Sequence, residues 1–265
     1  MIRALYTSAT GMKAQEMLID VTANNLANVN TTAFKRSQVN FADLIYATQK
    51  PAGTEIASGV QTPTGIQVGT GVRPVSTNKL FLNGTIQQTG NALDVAIEGE
   101  GFFRVDLPSG EARYTRDGSF RMDSSGQLVT ADGYILAGGI SIPPGVAIEK
   151  LNIGTDGTVT AVQGGASNAT LNLGQMTVVR FVNPSGLSSE GSNLYAETAA
   201  SGAETPGTPG VDGIGTLRQH SLEGSNVEVV NELISLISAQ RAYEINSRAI
   251  KAGDEMLSTT SEMVR

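Results

Sequence analysis

Cysteine is absent from the 265 residues, which removes disulfides, thiolate metal sites and a cysteine nucleophile together. Histidine occurs once, at His220. A zinc site would then need carboxylates around a single imidazole, an uncommon donor set, so His220 is read as structural or exposed. None of the 18 basic residues falls in a run and the formal net charge is −7, which argues against nucleic acid and anionic membranes as partners. No stretch approaches the roughly 20 apolar residues a membrane-spanning helix needs, and membrane insertion is not expected. Lys13, Glu16 and Asp20 interrupt the region where a signal peptide would carry its apolar core. The chain is expected to be cytosolic, or to leave by a route that reads no cleavable signal. Aromatics are 5% and charged residues 16% against 40% hydrophobic and 31 glycines, so most of the chain should fold, with many turns and thin packing layers.

What is present is concentrated at the two ends. Leu5, Met12, Ile19 and Leu26 recur every seven positions, as do Val229, Leu236, Tyr243, Ile250, Leu257 and Val264. That spacing marks helices that pack lengthwise on other helices. Asn24, Asn25, Asn28 and Asn30 crowd the end of the first stripe, and asparagine competes for backbone hydrogen bonds, so that helix should stop near Asn28 to Thr32. Ser225 and Glu228 fit a capping box, and a helix of some 35 residues should follow, spanning roughly 50 Å at 1.5 Å per residue. Its companion row, Leu233, Gln240, Ser247 and Asp254, turns polar after its first member. So thin a stripe is not self-sufficient as a two-stranded coil and should gain order among copies of itself.

Between the ends the pattern changes. Residues 47–79 carry Pro51, Gly53, Gly59, Pro63, Gly65, Gly69, Gly71 and Pro74, which reads as an extended spacer with short strands. Short β-type runs follow at Leu93 to Ile97, Phe102 to Leu107, Gln127 to Thr130 and Met176 to Phe181. Asn83-Gly84, Asp117-Gly118, Ser125-Gly126, Asp132-Gly133 and Asp156-Gly157 divide the region as candidate hairpin turns. Thr198 to Gly215 has almost nothing to bury and reads as a linker. The fold class is therefore α+β: long terminal helices pairing as a coiled-coil-like layer, with a mainly antiparallel β domain and a spacer inserted. The expected domains are an N-terminal assembly helix at 1–32, a spacer at 33–79, a β-rich outer domain at 80–215 and a C-terminal assembly helix at 216–265.

Chemistry-bearing patterns are weak. Gly69-Thr70-Gly71 and Gly99-Glu100-Gly101 lack the third glycine or the lysine of a nucleotide loop and read as turn or bulge glycines. Asp94 with Glu98, or Asp117 with Asp123, could be posed as a glycosidase pair, but a chain with 25 acidic residues offers many such pairs. No serine sits in a nucleophile elbow. No catalytic residue, cofactor site or metal site is assigned.

The wording of the two ends is more specific. Ala23-Asn24-Asn25-Leu26-Ala27-Asn28-Val29-Asn30-Thr31-Thr32-Ala33-Phe34-Lys35 resembles the N-terminal signature of the bacterial flagellar rod and hook family. Ser225-Asn226-Val227-Glu228, with Gln240-Arg241-Ala242-Tyr243-Glu244-Ile245-Asn246-Ser247, resembles its C-terminal signature. One position departs: Ala33 stands where the family usually has glycine. Residues 66–73, 93–103 and 114–120 are similar to the distal-rod branch of the family.

The resemblance implies a structural subunit, not an enzyme. Such subunits polymerise into the hollow helical distal rod, which transmits torque from motor to hook across the periplasm. It also implies export without a cleaved signal through the flagellar type III apparatus. The implied contacts are with copies of the chain, other rod proteins, the hook protein, and the periplasmic and outer-membrane rings. The competing readings are a proximal-rod or hook-type subunit and, from another class, an exported wall-cleaving enzyme with rod-like ends. The residues expected to carry assembly are Leu5, Met12, Ile19, Leu26, Val229, Leu233, Leu236, Tyr243, Ile250 and Leu257. The family-signature residues are Asn24, Asn25, Leu26, Ala27, Asn28, Phe34, Lys35, Gln240, Arg241, Ala242 and Tyr243.

Overall fold

Helix-forming residues dominate both ends, and the computed structural model, which describes residues 2–53, 55–57, 60–61, 63–162 and 170–263, has its two α-helices there. The first, α1, covers Ile2–Ala27, and the second, α2, covers Val229–Met263. Residues after Ala27 form turns, as the asparagine cluster predicts. Val264, the last member of its heptad row, lies outside the described residues.

The start of α2 differs from expectation. Ser225 does not cap it: its Oγ accepts from Val227 N–H at 3.2 Å, ahead of the helix. Asn226 explains this. Its Nδ2 donates to the Leu80 carbonyl at 2.8 Å and its Oδ1 accepts from Arg36 N–H at 2.7 Å, which holds the preceding chain in a non-helical course.

The chain divides into two compact units. One comprises Met1–Ala27, Ser37–Asn78 and Glu228–Arg265; the other comprises Asn28–Arg36 and Lys79–Val227. The first therefore holds both helices together with most of the spacer. Within it, strand Ser37–Asp43 pairs with Val72–Lys79, and Ala47–Lys50 pairs antiparallel with Ile66–Val68. The spacer is thus a long two-stranded ribbon. Two-stranded ribbons are marginal alone, and this one is tied to α1. Val72 N–H donates to Thr10 Oγ1 at 3.4 Å, and Gly71, at φ +123°, approaches so closely that a Cβ would stand 2.1 Å from that oxygen.

The second unit is built from antiparallel pairings. Its nine-stranded sheet centres on Phe102–Asp106, flanked by Ala112–Thr115, Ile135–Leu136 and Val178–Arg180. Alternation along the central strand decides the core. Phe103 and Val105 enter a large cluster with Val95, Ile97, Leu128, Met176 and Leu217, while Phe102 enters a second with Tyr114, Phe181 and Tyr195. On the second face Phe102 is followed by Arg104 and Asp106, so only the start of the strand is buried on both sides.

The glycine dipeptides sort by packing. Gly126, Gly133 and Gly157, at φ +80°, +88° and +83°, turn the hairpins predicted for them. Asn83-Gly84 and Asp117-Gly118 do not make hairpins: Cβ atoms there would fall 2.0 Å from the Gly224 carbonyl oxygen and 1.7 Å from that of Val95, so these glycines serve close backbone passage. The expected linker is also corrected. Within it, Thr205–Gly207 pairs with Val178–Arg180, and Ile214 is buried in the main core. Ser201 is buried as well and Gly207 is closely packed against Ile214, so a stretch whose composition suggests nothing to bury is folded.

Candidate assembly faces and the buried ion cluster

The two helices lie against one another. A Cβ on Gly11 would stand 3.1 Å from Asn246 Nδ2, and one on Gly253 would stand 2.7 Å from Leu5 Cδ2. Near the other end of α1, Asn25 Nδ2 donates to Glu232 Oε2 at 3.3 Å. Positions 5, 11 and 25 meeting 253, 246 and 232 define an antiparallel pair.

The row of α2 that meets α1 is Glu232, Ala239, Asn246 and Gly253, one residue before the companion row weighed from the sequence. Glu232 and Ala239 are 1% and 2% exposed. Counting only large apolar residues misses this row, in which Ala239 and Gly253 are small enough to let the helices approach and Glu232 and Asn246 are polar. On α1 the buried residues are Ala14, Thr22 and Asn25.

The expected assembly residues fall into two groups. Leu5, Met12, Ile19, Leu26, Leu236, Ile250 and Leu257 are half-buried. Val229, Leu233 and Tyr243 are exposed, and with Val230, Ile234, Ile237 and Ile245 they leave α2 with large apolar side chains 40–68% exposed. Gln240 and Arg241 are exposed as well, Ala242 is half-buried, and Ala27 is exposed at the end of α1.

Among the signature residues Asn25 has the clearest local task. Its Oδ1 accepts from Ser37 N–H and its Nδ2 donates to the Ser37 carbonyl, both at 2.9 Å, so one buried amide joins α1, the first ribbon strand and Glu232 of α2. Asn24 lies exposed beside it. Asn28 Oδ1 accepts from Thr31 Oγ1 at 3.1 Å and so shapes the turn that follows. Phe34 is buried, with Lys79 Nζ 4.9 Å from its ring centroid.

Lys35 belongs to a cluster that pattern reading did not reveal. Its Nζ, fully buried, donates to Glu223 Oε1 at 2.6 Å and to the Leu82 carbonyl at 2.7 Å. Glu223 also accepts from Arg116 Nε at 3.0 Å and from Gly84 N–H at 2.9 Å. Arg116 continues to the Gly99 and Gly101 carbonyls, at 2.9 and 2.7 Å, and to Asn83 Oδ1 at 2.9 Å. Gly99 and Gly101 therefore present carbonyls to an arginine; they form no nucleotide loop.

Two cations share one anion here. Burial, then the Arg116 charge, pull Lys35 down from 10.5 to about 8 against the opposing pull of Glu223. Burial alone would raise the Glu223 carboxyl, but Arg116 and Lys35 outweigh it and hold the group below its ordinary value. The pairings join residues 188 and 107 positions apart in sequence, which is why no local motif announces them.

The remaining candidates take structural places. His220, at φ +58°, forms the corner between strands Thr216–Gln219 and Ser221–Glu223, with Nδ1 3.1 Å from the Asn91 carbonyl. Asp94 is buried and accepts from Thr89 Oγ1 at 2.6 Å, and Asp117 Oδ1 accepts from Ser119 N–H at 3.0 Å. Among the described residues no group of three or more His, Asp or Glu side chains is placed to hold a metal ion. None of the helices described is long and apolar enough to cross a membrane.

Comparison with known proteins decides the family. Three family descriptions match along the chain: flagella basal body rod protein at residues 5–35, flagellar hook protein FlgE/F/G D1 domain at 96–161, and flagellar basal body rod FlgEFG protein C-terminal at 218–263. The flagellar basal-body rod protein FlgG of Borreliella burgdorferi is 47% identical over 265 residues, covering all of both chains. The chain belongs to the flagellar hook and basal-body rod family. The FlgG of Buchnera aphidicola subsp. Schizaphis graminum is 48% identical over 263 residues, covering 99% of this chain and 100% of its own. The flagellar hook-basal body complex protein FlhP of Bacillus subtilis is 33% identical over 280 residues, covering 97% of each. Within this family the α2 face and the Lys35 cluster are parts of a structural protein, not of an enzyme.

Proposed function

We propose that the chain is a structural subunit of the flagellar distal rod and polymerises through α1 and α2 into a hollow tube. The observation that carries this reading is the unpartnered apolar side of α2: Val230, Leu233, Ile234, Ile237, Tyr243 and Ile245. A lone helix pair leaves them in water, whereas a tube surrounds each helix with several neighbours. Contacts that repeat without closing generate a filament, and many repeated interfaces give it rigidity. Coiled-coil-like packing of both helices, as a layer around the central channel, supplies the shell. The ribbon after α1 stiffens the tube.

In this role the rod passes torque to the hook protein and turns within the periplasmic and outer-membrane rings. It reaches its place unfolded, through the type III export apparatus. The expected domain roles and assembly residues are retained in this proposal, with Ile234 and Ile237 added.

The test is Ile234→Asp with Ile237→Asp in the full-length chain, set beside Ile19→Asp and Ile250→Asp. The first pair should abolish growth of rods seen by electron microscopy while leaving the monomer's circular dichroism unchanged, because the replaced side chains are already exposed. Rods of normal length from the double variant would overturn the proposal.

A further inference from the structure

Asn83-Gly84 is the one Asn-Gly dipeptide in the sequence. Glycine has no side chain to shield its nitrogen, so in this dipeptide that nitrogen reaches the preceding side-chain carbonyl most readily. The pair lies in a stretch, residues 80–85, outside any strand, and Asn83 is exposed to water. Its surroundings are unusual. Asn83 Oδ1 accepts from Arg116 Nη2 at 2.9 Å, so a buried guanidinium polarises the amide carbonyl. The Gly84 N–H, on the other reacting atom, points at Glu223 Oε1 at 2.9 Å.

We propose that Asn83 is a self-modification site, at which the folded protein converts its own side-chain amide to a carboxylate with water as the only co-reactant. The Gly84 nitrogen gives up its proton and attacks Asn83 Cγ. The carbonyl oxygen takes up negative charge opposite Arg116, and a guanidinium placed where charge develops stabilises that intermediate. The Cγ–Nδ2 bond then breaks, and ammonia leaves with a proton supplied by water. The five-membered imide that remains is opened by a water molecule at either carbonyl, which breaks a C–N bond to Gly84 and yields aspartate or isoaspartate. No electrons are gained or lost. Glu223, already committed to two cations, is a weak base, so the main contribution is that of Arg116.

The product has a reason to persist. The cluster of Lys35, Arg116 and Glu223 carries one uncompensated positive charge among side chains no more than 3% exposed. A carboxylate at position 83, where Oδ1 already meets Arg116, supplies the missing anion, and a charge-assisted bond replaces a neutral acceptor. Burial of unbalanced charge is costly, so the conversion should tighten the β unit.

The test uses the full-length chain, incubated folded and, in parallel, unfolded in urea at the same mildly alkaline pH. Proteolysis and mass spectrometry then quantify acid at position 83. Conversion should be several-fold faster in the folded chain, and equal or slower conversion would overturn the proposal. The variant Asn83→Asp supplies an independent measurement: its thermal midpoint should lie above that of the parent, and a lower or unchanged midpoint would overturn the charge-compensation argument.

Discussion

Removing Glu223 should cost far more than removing Lys35, although each deletes one side of the same 2.6 Å ion pair. Glu223→Ala leaves Arg116 and Lys35, at 3% and 0% exposure, facing each other without an anion. Breaking a buried pair in this way costs about 3–5 kcal/mol. Lys35→Met instead leaves a neutral Arg116–Glu223 pair and gives up the excess charge. Its losses are the bonds to the Leu82 carbonyl and to Glu223 Oε1. Both acceptors keep other donors and the repulsion from Arg116 disappears, so the net cost should be only about 1 kcal/mol. The assay is urea unfolding of the full chain followed by near-ultraviolet circular dichroism, which reports Tyr114 and Tyr195, both buried in the β unit. Equal destabilisation by the two substitutions would refute the view that the cluster carries a cation in excess.

The pH dependence has a worked sign. Lys35 is lowered to about 8 from 10.5, so the folded state binds fewer protons than the unfolded state between those values. Stability of the β unit should therefore rise with pH across that window, and the gain should vanish in Lys35→Met. Glu223 is lowered from 4.5, so its contribution is present above that value and is lost as pH falls below it.

Ala33 occupies the left-handed region at φ +56° while 1% exposed, so Ala33→Gly should raise the urea midpoint by the equivalent of about 1 kcal/mol; a lower midpoint would show that the turn tolerates a Cβ without strain. Gly253→Val should loosen α1, since even a Cβ meets Leu5 Cδ2 at 2.7 Å, and the sign is faster proteolysis within residues 2–27. Adding Leu5→Ala should restore resistance, and failure to do so would place the close contact elsewhere. Gly71→Ala should free the ribbon from α1, because the new Cβ would occupy the space of Thr10 Oγ1; hydrogen exchange along residues 72–78 should accelerate. Unchanged exchange would mean that Thr10 does not hold the ribbon.

Much of the architecture was legible because the relevant periods are local. Seven-residue recurrence marked both helices, and Ser125-Gly126, Asp132-Gly133 and Asp156-Gly157 marked three hairpins with φ near +80° to +88°. Linear reading failed where the deciding neighbour is distant. Gly84 and Gly118 carry the same dipeptide signal as those hairpins but are glycines for the sake of carbonyls at Gly224 and Val95. Ile214 looked like part of a linker because the core that receives it is assembled from strands far away in the chain.

By itself the sequence determined that helices stand at the ends and antiparallel β structure between them, and it carried the signatures of the family. Those properties depend on side-chain period and on the backbone freedom of single residues. The tertiary structure decided that α2 meets α1 through Glu232, Ala239, Asn246 and Gly253, with Leu5 of the first apolar row against Gly253. Alanine and glycine at the contact let two cylinders approach, and the bond from Asn25 to Glu232 ties them near one end. It likewise decided that Lys35, Arg116 and Glu223 share one buried charge balance, because Coulomb interactions depend on distance in space and not on separation along the chain.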